Sequence, residues 1–251
     1  MKQRLDKIVV ERGLTTSRER AKALIMEGKL LVGGMPASKA GAMVDINADI
    51  GLKGDDIPYV SRGGLKLKAA IERFQIALRG KIAMDVGSST GGFTDCMLQN
   101  GAGKLYCIDV GYGQLAWELR KDPRVVLLER TNIRMLEKKD IPEDIDIATV
   151  DVSFISLIKV VPKVIEFLKK DSEIIALIKP QFEVGRGEVD RGGVIKDEAK
   201  RLKAVENIKA HLESLGLETA GILQSPITGQ KGNIEYLIYL KRRDERHLSG
   251  K

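Results

Sequence analysis

A glycine-rich loop near residue 90 carries the clearest chemical signal in the sequence. Residues 85–93 read Asp-Val-Gly-Ser-Ser-Thr-Gly-Gly-Phe, after a short apolar run and before a helical pattern. Glycines at such a strand-to-helix turn allow the backbone to approach a ligand closely. The spacing departs from the dinucleotide fingerprint G-x-G-x-x-G, and no Gly-Lys-Ser/Thr completes a Walker loop. The segment therefore predicts a cofactor loop of another class, the alternative being a turn whose glycines serve packing alone.

Two acidic residues narrow the class of cofactor. Asp85 is expected at the mouth of the loop, where a carboxylate disfavours a pyrophosphate, and Asp109 ends the next apolar run, 24 residues later. An acid at the second position can accept hydrogen bonds from ribose hydroxyls and would repel the phosphate of an NADP-type cofactor. S-adenosylmethionine suits both acids, because it carries a sulfonium, an ammonium group and a ribose but no phosphate. We therefore expect S-adenosylmethionine as the cofactor.

Polar residues also stand where other apolar runs end. Asp151 and Lys179 close two such runs, and Glu235 begins a third. Ligands of open α/β sheets bind outside the carboxyl ends of the parallel strands, and Pro180 would end its strand so that Lys179 projects into that crevice. Lys66 lies in a basic segment before the first of these runs. Each charge alone is as typical of a surface as of a reaction centre.

The elements that must position these residues alternate along 62–251. Short runs rich in β-branched residues are separated by segments of helical periodicity, which predicts a mostly parallel sheet with helices on both faces. Helices are expected over 113–122, 156–170 and 197–216. The last two apolar runs are joined by a short turn-rich link and should pair antiparallel. The expected fold is a doubly wound, Rossmann-like α/β domain with an antiparallel C-terminal strand.

The first 39 residues predict a separate small module. They hold nine Lys and Arg against four acids. The periodicity indicates a helix that ends at Gly13, then a second helix capped by Thr16 or Ser17, and then short strands, which together make a small α+β domain. The residues expected to face inward are Leu5, Ile8, Val9, Ala21, Leu24 and Ile25.

Positive charge is concentrated on the second helix and again over 62–81. Charge of one sign on one face favours a polyanionic partner such as RNA over a merely solvated surface. A loop with Arg186 and Arg191 is a further candidate for phosphate contact. The residues expected to bind RNA are Arg4, Lys7, Arg18, Arg20, Lys22 and Arg62.

Composition excludes several other classes of protein. The 251 residues carry a net charge of +7 and are 43% hydrophobic, as in ordinary globular proteins. The two cysteines, Cys96 and Cys107, and the two histidines, His211 and His247, lack the clustered spacing of a zinc ribbon or finger, and no metal is expected. The start of the chain lacks the apolar stretch of a signal peptide, and no run reaches the ~18 apolar residues of a membrane helix. We expect a cytoplasmic monomer with an RNA-binding domain at 1–56, a linker at 57–61 and a catalytic domain at 62–251.

Several stretches resemble known proteins. The segments DVGSSTGGFTDCML, TVDVSFISL and LIKPQFEVGR, with the basic module ahead of SRGGLKL, resemble the TlyA family, also called haemolysin A, whose members are ribosomal RNA 2′-O-methyltransferases. The module over 4–34 is similar to the small αL RNA-binding fold. The chain order Lys66, Asp151, Lys179, Glu235 resembles the Lys-Asp-Lys-Glu set of FtsJ-type ribose methyltransferases. The resemblance covers essentially residues 1–242.

The resemblance implies a role for each of these residues. Methyl transfer to a ribose hydroxyl needs in-line alignment and a base, or a cation beside the developing alkoxide. Lys179 would be the base and Asp151 would orient it, whereas Lys66 and Glu235 would position the ribose. The residues implied in cofactor binding are Asp85, Gly87, Ser88, Gly91, Gly92, Phe93, Asp109 and Asn132.

Other functions compete with this interpretation. The older family name suggests a membrane-perturbing haemolysin, which the lack of an apolar or strongly amphipathic segment disfavours. A non-catalytic RNA-binding factor would retain the cofactor pocket without needing the four charged residues. A nicotinamide enzyme is disfavoured by the missing fingerprint and by Asp85.

Overall fold

The chain divides into two compact units. A computed structural model describes residues 1–15, 17–26, 28–53, 57–190 and 192–242, with the side chains of Arg186 and Gln230 excepted. One unit is Met1–Pro58 and the other begins at Tyr59, so the division falls within the stretch expected as a linker. Thr16 and Arg191, candidates for a helix cap and for phosphate contact, lie outside the described residues.

The first unit combines two helices with short strands. Its described elements are β1 (Lys2–Arg4), α1 (Leu5–Glu11), α2 (Arg18–Met26), β2 (Leu30–Val32), β3 (Met35–Pro36), β4 (Met43–Asp45) and β5 (Ile50–Leu52). β1 pairs antiparallel with β4, and β2 lies between β3 and β5. The six residues predicted to face inward are all buried. The first helix begins at Leu5, directly after β1.

Polar contacts cap the second helix and join it to the first. The backbone N–H of Arg20 donates to Ser17 Oγ at 3.1 Å, so Ser17 caps α2. Asp6 in α1 is fully buried and accepts hydrogen bonds from the guanidinium groups of Arg4, at 3.0 Å, and Arg18, at 2.9 Å. The bonds from Arg4, with those from Arg18, outweigh burial and lower the pKa of Asp6 to about 2. Arg18 therefore ties the two helices together.

The second unit is built on one seven-stranded sheet. Its described elements are α3 (Gly63–Phe74), β6 (Ile82–Val86), α4 (Gly92–Gln99), β7 (Lys104–Ile108), α5 (Trp117–Arg120), β8 (Val125–Leu128), β9 (Ile145–Val150), α6 (Val161–Ile165), β10 (Leu168–Ile178), α7 (Pro180–Glu183), α8 (Glu198–Ser214), β11 (Leu217–Gln224) and β12 (Tyr236–Arg242). The strand order is β11-β12-β10-β9-β6-β7-β8. The five strands β6 to β10 run parallel, whereas β12 is antiparallel to β10 and β11.

The core lies on both faces of this sheet. Neighbouring residues of β6 point to opposite sides: Ala83 packs in one apolar cluster and Met84 in the other, and both are fully buried. Burial on both faces explains why the strands read as continuous apolar runs. The predicted doubly wound α/β fold with an antiparallel C-terminal strand is confirmed.

Two predicted helices are shorter than expected. Only Trp117–Arg120 of the segment 113–122 is α-helical, and only Val161–Ile165 of the segment 156–170. Residues from Leu168 onward belong to β10, because they pair with β9 and β12. Sheet pairing here overrides the helical pattern, as tertiary context commonly does.

Candidate active site

The sheet topology brings the four predicted catalytic residues to one edge. Asp151 follows β9, Lys179 follows β10, and Glu235 precedes β12. Because β12 runs against β10, with Ile178 opposite Tyr236, the start of β12 lies beside the end of β10. Lys66 reaches the same edge from α3.

The four side chains line one cavity of about 250 Å³ and form two ion pairs, one buried (Lys66–Glu235) and one partly buried (Lys179–Asp151). Lys179 Nζ lies 2.6 Å from Asp151 Oδ1, and Lys66 Nζ lies 2.6 Å from Glu235 Oε2. Lys179 also donates to Ser153 Oγ at 2.9 Å. Lys66 and Lys179 are each 8% exposed and Glu235 is 2% exposed. The site therefore presents two ammonium groups whose charge is balanced by two carboxylates, held where little water can screen them.

A second cavity, of about 400 Å³, adjoins the first. Both are lined by Gly87, Ser89, Asp151 and Ser153. Asp109 and Asn132 line only the second cavity, together with apolar side chains such as Ile108 and Ile133. Among the described residues that line it there are two acids and no Lys or Arg, which suits a ligand that carries ribose and no phosphate.

The glycine loop lies between the two cavities. Gly87 has φ +85°, and a Cβ there would collide with the carbonyl oxygen of Asp151. Gly92 lies close to Ser61, and both line the first cavity with Phe93. Gly91 lines neither cavity; a Cβ at this position would collide with Leu119, so its φ of +97° serves close packing. The glycines thus divide into those that face the cavities and one that faces the core.

Asp85 differs from its expected place at the mouth of the loop. Its carboxylate is fully buried beneath the loop, lines neither cavity, and accepts hydrogen bonds from Thr94 Oγ1 at 2.6 Å and Thr149 Oγ1 at 2.9 Å. The reason is that Asp85 lies within β6 and not after its end, and the residues of this part of β6 are buried on both faces of the sheet. Burial raises the pKa of Asp85 to about 6 despite both hydrogen bonds. Its direct contact with a cofactor is therefore not supported, and its contacts support the loop from below.

Burial of Asp85 predicts that Asp85→Asn removes a pH-dependent loss of stability. The raised pKa means that the native state binds more protons than the unfolded state between about pH 4 and pH 6, so the free energy of unfolding falls as pH rises through that window. An uncharged amide escapes this loss, which is at most about 3 kcal/mol for a shift of roughly two units. Urea unfolding of both proteins at several pH values should give curves that diverge towards pH 7. Curves that stay parallel would contradict the buried charge.

Asp109 and Asn132 both hold local backbone as well as facing the second cavity. The carboxylate of Asp109 accepts from the N–H groups of Ser89, at 2.7 Å, and Gly111, at 2.6 Å. Asn132 Oδ1 accepts from the N–H of Arg134 at 3.1 Å and so caps a turn. Each carboxylate or amide oxygen keeps a further lone pair for a ligand.

One buried hydroxyl in the wall of the first cavity is available to a ligand. Ser88 Oγ lines the first cavity, is buried, and has no hydrogen-bond partner within the described residues. Because Ser88 Oγ stands in the wall of the cavity, a bound ligand can supply its hydrogen-bond partner. The described residues that line the second cavity include no Lys or Arg to bind a phosphate. Together with Ser88, this fits a cofactor with polar hydrogen-bonding groups and no phosphate.

Comparison with known proteins identifies the family. The family model described as FtsJ-like methyltransferase matches residues 59–242, and the model described as S4 domain matches residues 3–50. The 16S/23S rRNA (cytidine-2′-O)-methyltransferase TlyA of Mycobacterium tuberculosis is 44% identical over 249 residues, which is 99% of this chain and 93% of that protein. The chain belongs to the TlyA family of FtsJ-like methyltransferases. The resemblance predicted from the sequence is thereby confirmed.

Other TlyA-family relatives agree with this assignment. A candidate rRNA methyltransferase of Bacillus subtilis, YqxC, is 45% identical over 95% of this chain and 85% of its own length. A solved structure of a candidate hemolysin from Streptococcus thermophilus superposes with a TM-score of 0.77 at 40% identity, covering 97% of this chain and 89% of that one. Within the residues that the structure describes, no helix has the length and apolar character needed to cross a membrane.

Three features of this TlyA-family site were missed from the sequence. Ser153 holds Lys179, Gln181 lines the first cavity with a buried Oε1 that lacks a partner among the described residues, and Phe154 packs on Phe182 with ring centroids 5.0 Å apart. Phe154 is 84% exposed and has φ +64°. All of them follow the ends of β9 and β10, so the strand-end rule that selected Asp151 and Lys179 could have extended to them.

The predicted RNA-binding residues differ in their surroundings. Arg4 and Arg18 are about half exposed and bind Asp6, while Lys7 forms an exposed ion pair with Glu11 at 3.6 Å. The remaining three are Arg20 (half-buried), Lys22 (exposed) and Arg62, which is exposed and donates to the carbonyl of Thr228 at 3.3 Å. Arg4 and Arg18 therefore also have a structural task.

Proposed function

We propose that this protein transfers the methyl group of S-adenosylmethionine to a ribose 2′-hydroxyl of ribosomal RNA. The observation that carries the proposal is the ion pair of Lys179 and Asp151, whose Nζ and Oδ1 atoms are 2.6 Å apart. Lys179 lines the first cavity, and Asp151 lines both cavities together with Gly87 of the glycine loop. The relatives from Mycobacterium tuberculosis and Bacillus subtilis are named as rRNA methyltransferases, and a cytoplasmic location would follow from that substrate.

The second cavity is the proposed place for the nucleoside part of the cofactor. Asp109 would accept hydrogen bonds from ribose hydroxyls, and the apolar residues that line the same cavity would enclose the base. Ser88 would supply its unpartnered hydroxyl from the first cavity, and Gly87 would let the backbone approach closely. When bound, the cofactor supplies an electrophilic methyl group on a sulfonium. Asn132 is the adenine-side contact, and Asp85 acts only through the loop.

The first cavity is the proposed place for the target ribose. As the neutral amine, Lys179 Nζ would take the proton of the hydroxyl, and the ammonium so formed would stabilise the developing negative charge, while Asp151 and Ser153 hold the side chain in one position. Lys66 and Glu235, which line the same cavity as an ion pair, would orient the ribose. Because methyl transfer is an in-line displacement, fixed alignment of donor and hydroxyl supplies much of the rate.

The exposed ring of Phe154 supports a nucleotide substrate. It lies at the rim of the second cavity and rests on Phe182, which lines the first. RNA-modifying enzymes expose a target nucleotide from its stack, and an aromatic surface can then replace the lost stacking partner.

Labelled methyl transfer tests the function directly. Purified protein is incubated with S-adenosylmethionine that carries a tritiated methyl group. One reaction contains small ribosomal subunits and another contains large ones, both from a strain that lacks the enzyme. We expect label in RNA, on a ribose after digestion to nucleosides. Label on a base or on protein would refute the reaction type, and no label in either subunit would refute the substrate.

The first unit is the proposed RNA-binding module, and Lys22 and Arg18 test it as a matched pair. Each substitution by alanine removes one positive charge from α2. Lys22→Ala should lower the salt dependence of RNA binding by about one phosphate contact and leave the fold intact. Arg18→Ala should also destabilise the unit, by roughly 1–3 kcal/mol, because buried Asp6 loses a partner.

Filter binding across a salt series and thermal unfolding measure the two effects. An unchanged salt slope for Lys22→Ala would remove that residue from the interface. Equal unfolding temperatures for the two variants would contradict the structural task of Arg18.

A further inference from the structure

Exposed apolar side chains of the second unit cluster in the loops at one edge of the sheet. Those that are about two-thirds exposed or more are Val110, Tyr112, Trp117, Met135 and Phe154. All follow the carboxyl ends of β7, β8 or β9, the edge at which both cavities open. The other large exposed apolar residues described in this unit are less than half exposed. Such concentration of apolar surface marks a binding face.

Two aromatic rings on this edge each lie under a cation. Lys121 Nζ lies 4.7 Å from the centroid of Trp117, and the guanidinium carbon of Arg130 lies 4.2 Å from the centroid of Tyr112. Both rings remain about two-thirds exposed. We call these four residues the aromatic surface.

One carboxylate holds the two halves of the aromatic surface together. Glu129 accepts from the N–H of Gly113 at 2.7 Å, next to Tyr112, and from Arg120 Nη1 at 3.1 Å, within the short helix that begins with Trp117. Because Glu129 is paired with Arg120, and Asp122 with Arg124, these acids are neutralised by their own neighbours. The positive charges of Lys121 and Arg130 are thus left to attract an anion.

Exposed aromatic rings beside cations suit nucleotides. A nucleobase stacks on an aromatic ring, and the phosphates on either side of it are attracted to Lys and Arg. Val110 lines the second cavity while most of it is exposed, so this surface continues from the rim of the site itself. An RNA strand with one nucleotide in the first cavity would pass along such a rim.

We propose that the aromatic surface of Tyr112, Trp117, Lys121 and Arg130 stacks against bases that flank the methylated nucleotide. The inference rests on the proposed function, because it assumes RNA at the site. It adds a contact that depends on bases, whereas the basic first unit would contact phosphate.

The single tryptophan of the chain provides a direct probe. Protein-free ribosomal RNA contributes no tryptophan emission, so any change reports on Trp117. We expect RNA to quench this emission, whereas inorganic polyphosphate, a polyanion without bases, should not. A parallel titration with vesicles of anionic phospholipid, followed by the same emission, tests the alternative that these rings insert into a membrane. A blue shift with vesicles and no response to RNA would overturn the proposal.

Kinetics with ribosomal subunits provide a second, independent test. Trp117→Ala should raise KM for the subunits about tenfold, the loss of one stacked base, with kcat and cofactor affinity unchanged. Leu202→Ala, an exposed apolar change on α8, is the matched control and should alter neither. Unchanged KM for Trp117→Ala would overturn the aromatic surface while leaving the methyltransferase proposal standing. Absence of activity in the unsubstituted protein would instead refute the function, and the quenching measurement would still decide whether RNA contacts Trp117.

Discussion

Lys179→Ala is expected to reduce methyl transfer by roughly 10³-fold or more, the range for loss of a positioned acid–base group. In the structure Lys179 Nζ lies 2.6 Å from Asp151 Oδ1 and 2.9 Å from Ser153 Oγ. Alanine leaves no group at this point to take the hydroxyl proton or to balance the developing negative charge. It also leaves Asp151 without its cation, so the ribose oxygen would meet an uncompensated carboxylate.

Cofactor binding should survive the same substitution, because Lys179 does not line the second cavity. Single-turnover methylation of ribosomal subunits and calorimetric titration with S-adenosylmethionine separate the two effects. Lys203→Ala, an exposed lysine change on α8, serves as the charge-matched control. Activity within a few-fold of the unsubstituted protein would remove Lys179 from the chemistry. A large loss of cofactor affinity would instead assign it to binding.

The residues that could be found from the sequence are those that interrupt an apolar pattern. Asp151 and Lys179 stand directly after buried strands, and parallel strands share one carboxyl edge, so their proximity followed from the fold class. Glu235 needed one more fact, the reversal of β12, which the short link before it indicated. A charged residue at a strand end is costly to bury without a partner, and for this reason it is informative.

What the sequence could not supply was the direction of individual side chains. Asp85 interrupts an apolar run just as Asp151 does, yet it comes one residue before its strand ends and therefore points into the core. Ser153 and Phe154 lie in a loop whose conformation, with φ +64° at Phe154, has no periodic signal. The contact of Lys179 with Ser153 is likewise a property of the folded edge.

Gly87→Ala is expected to lower both stability and methyl transfer, through one contact. The residue has φ +85°, which costs a non-glycine residue roughly 1–2 kcal/mol. A Cβ would also collide with the carbonyl oxygen of Asp151, so the backbone of the loop or of Asp151 must move. Because Asp151 holds Lys179, that movement displaces the proposed base. A displacement of about 1 Å can cost on the order of 10²-fold in rate.

Gly80→Ala separates backbone strain from displacement of the site. Gly80 has a similar φ of +74°, but a Cβ there meets nothing within 4 Å. Both variants should unfold at lower temperature than the unsubstituted protein, whereas only Gly87→Ala should lose methylation and cofactor affinity. Thermal unfolding, calorimetric titration and single-turnover rates measure the three quantities. If Gly87→Ala lost no more methylation than Gly80→Ala, the contact with Asp151 would have no effect on function. A loss of methylation confined to Gly87→Ala would show that a shift in the glycine loop also displaces the reaction centre.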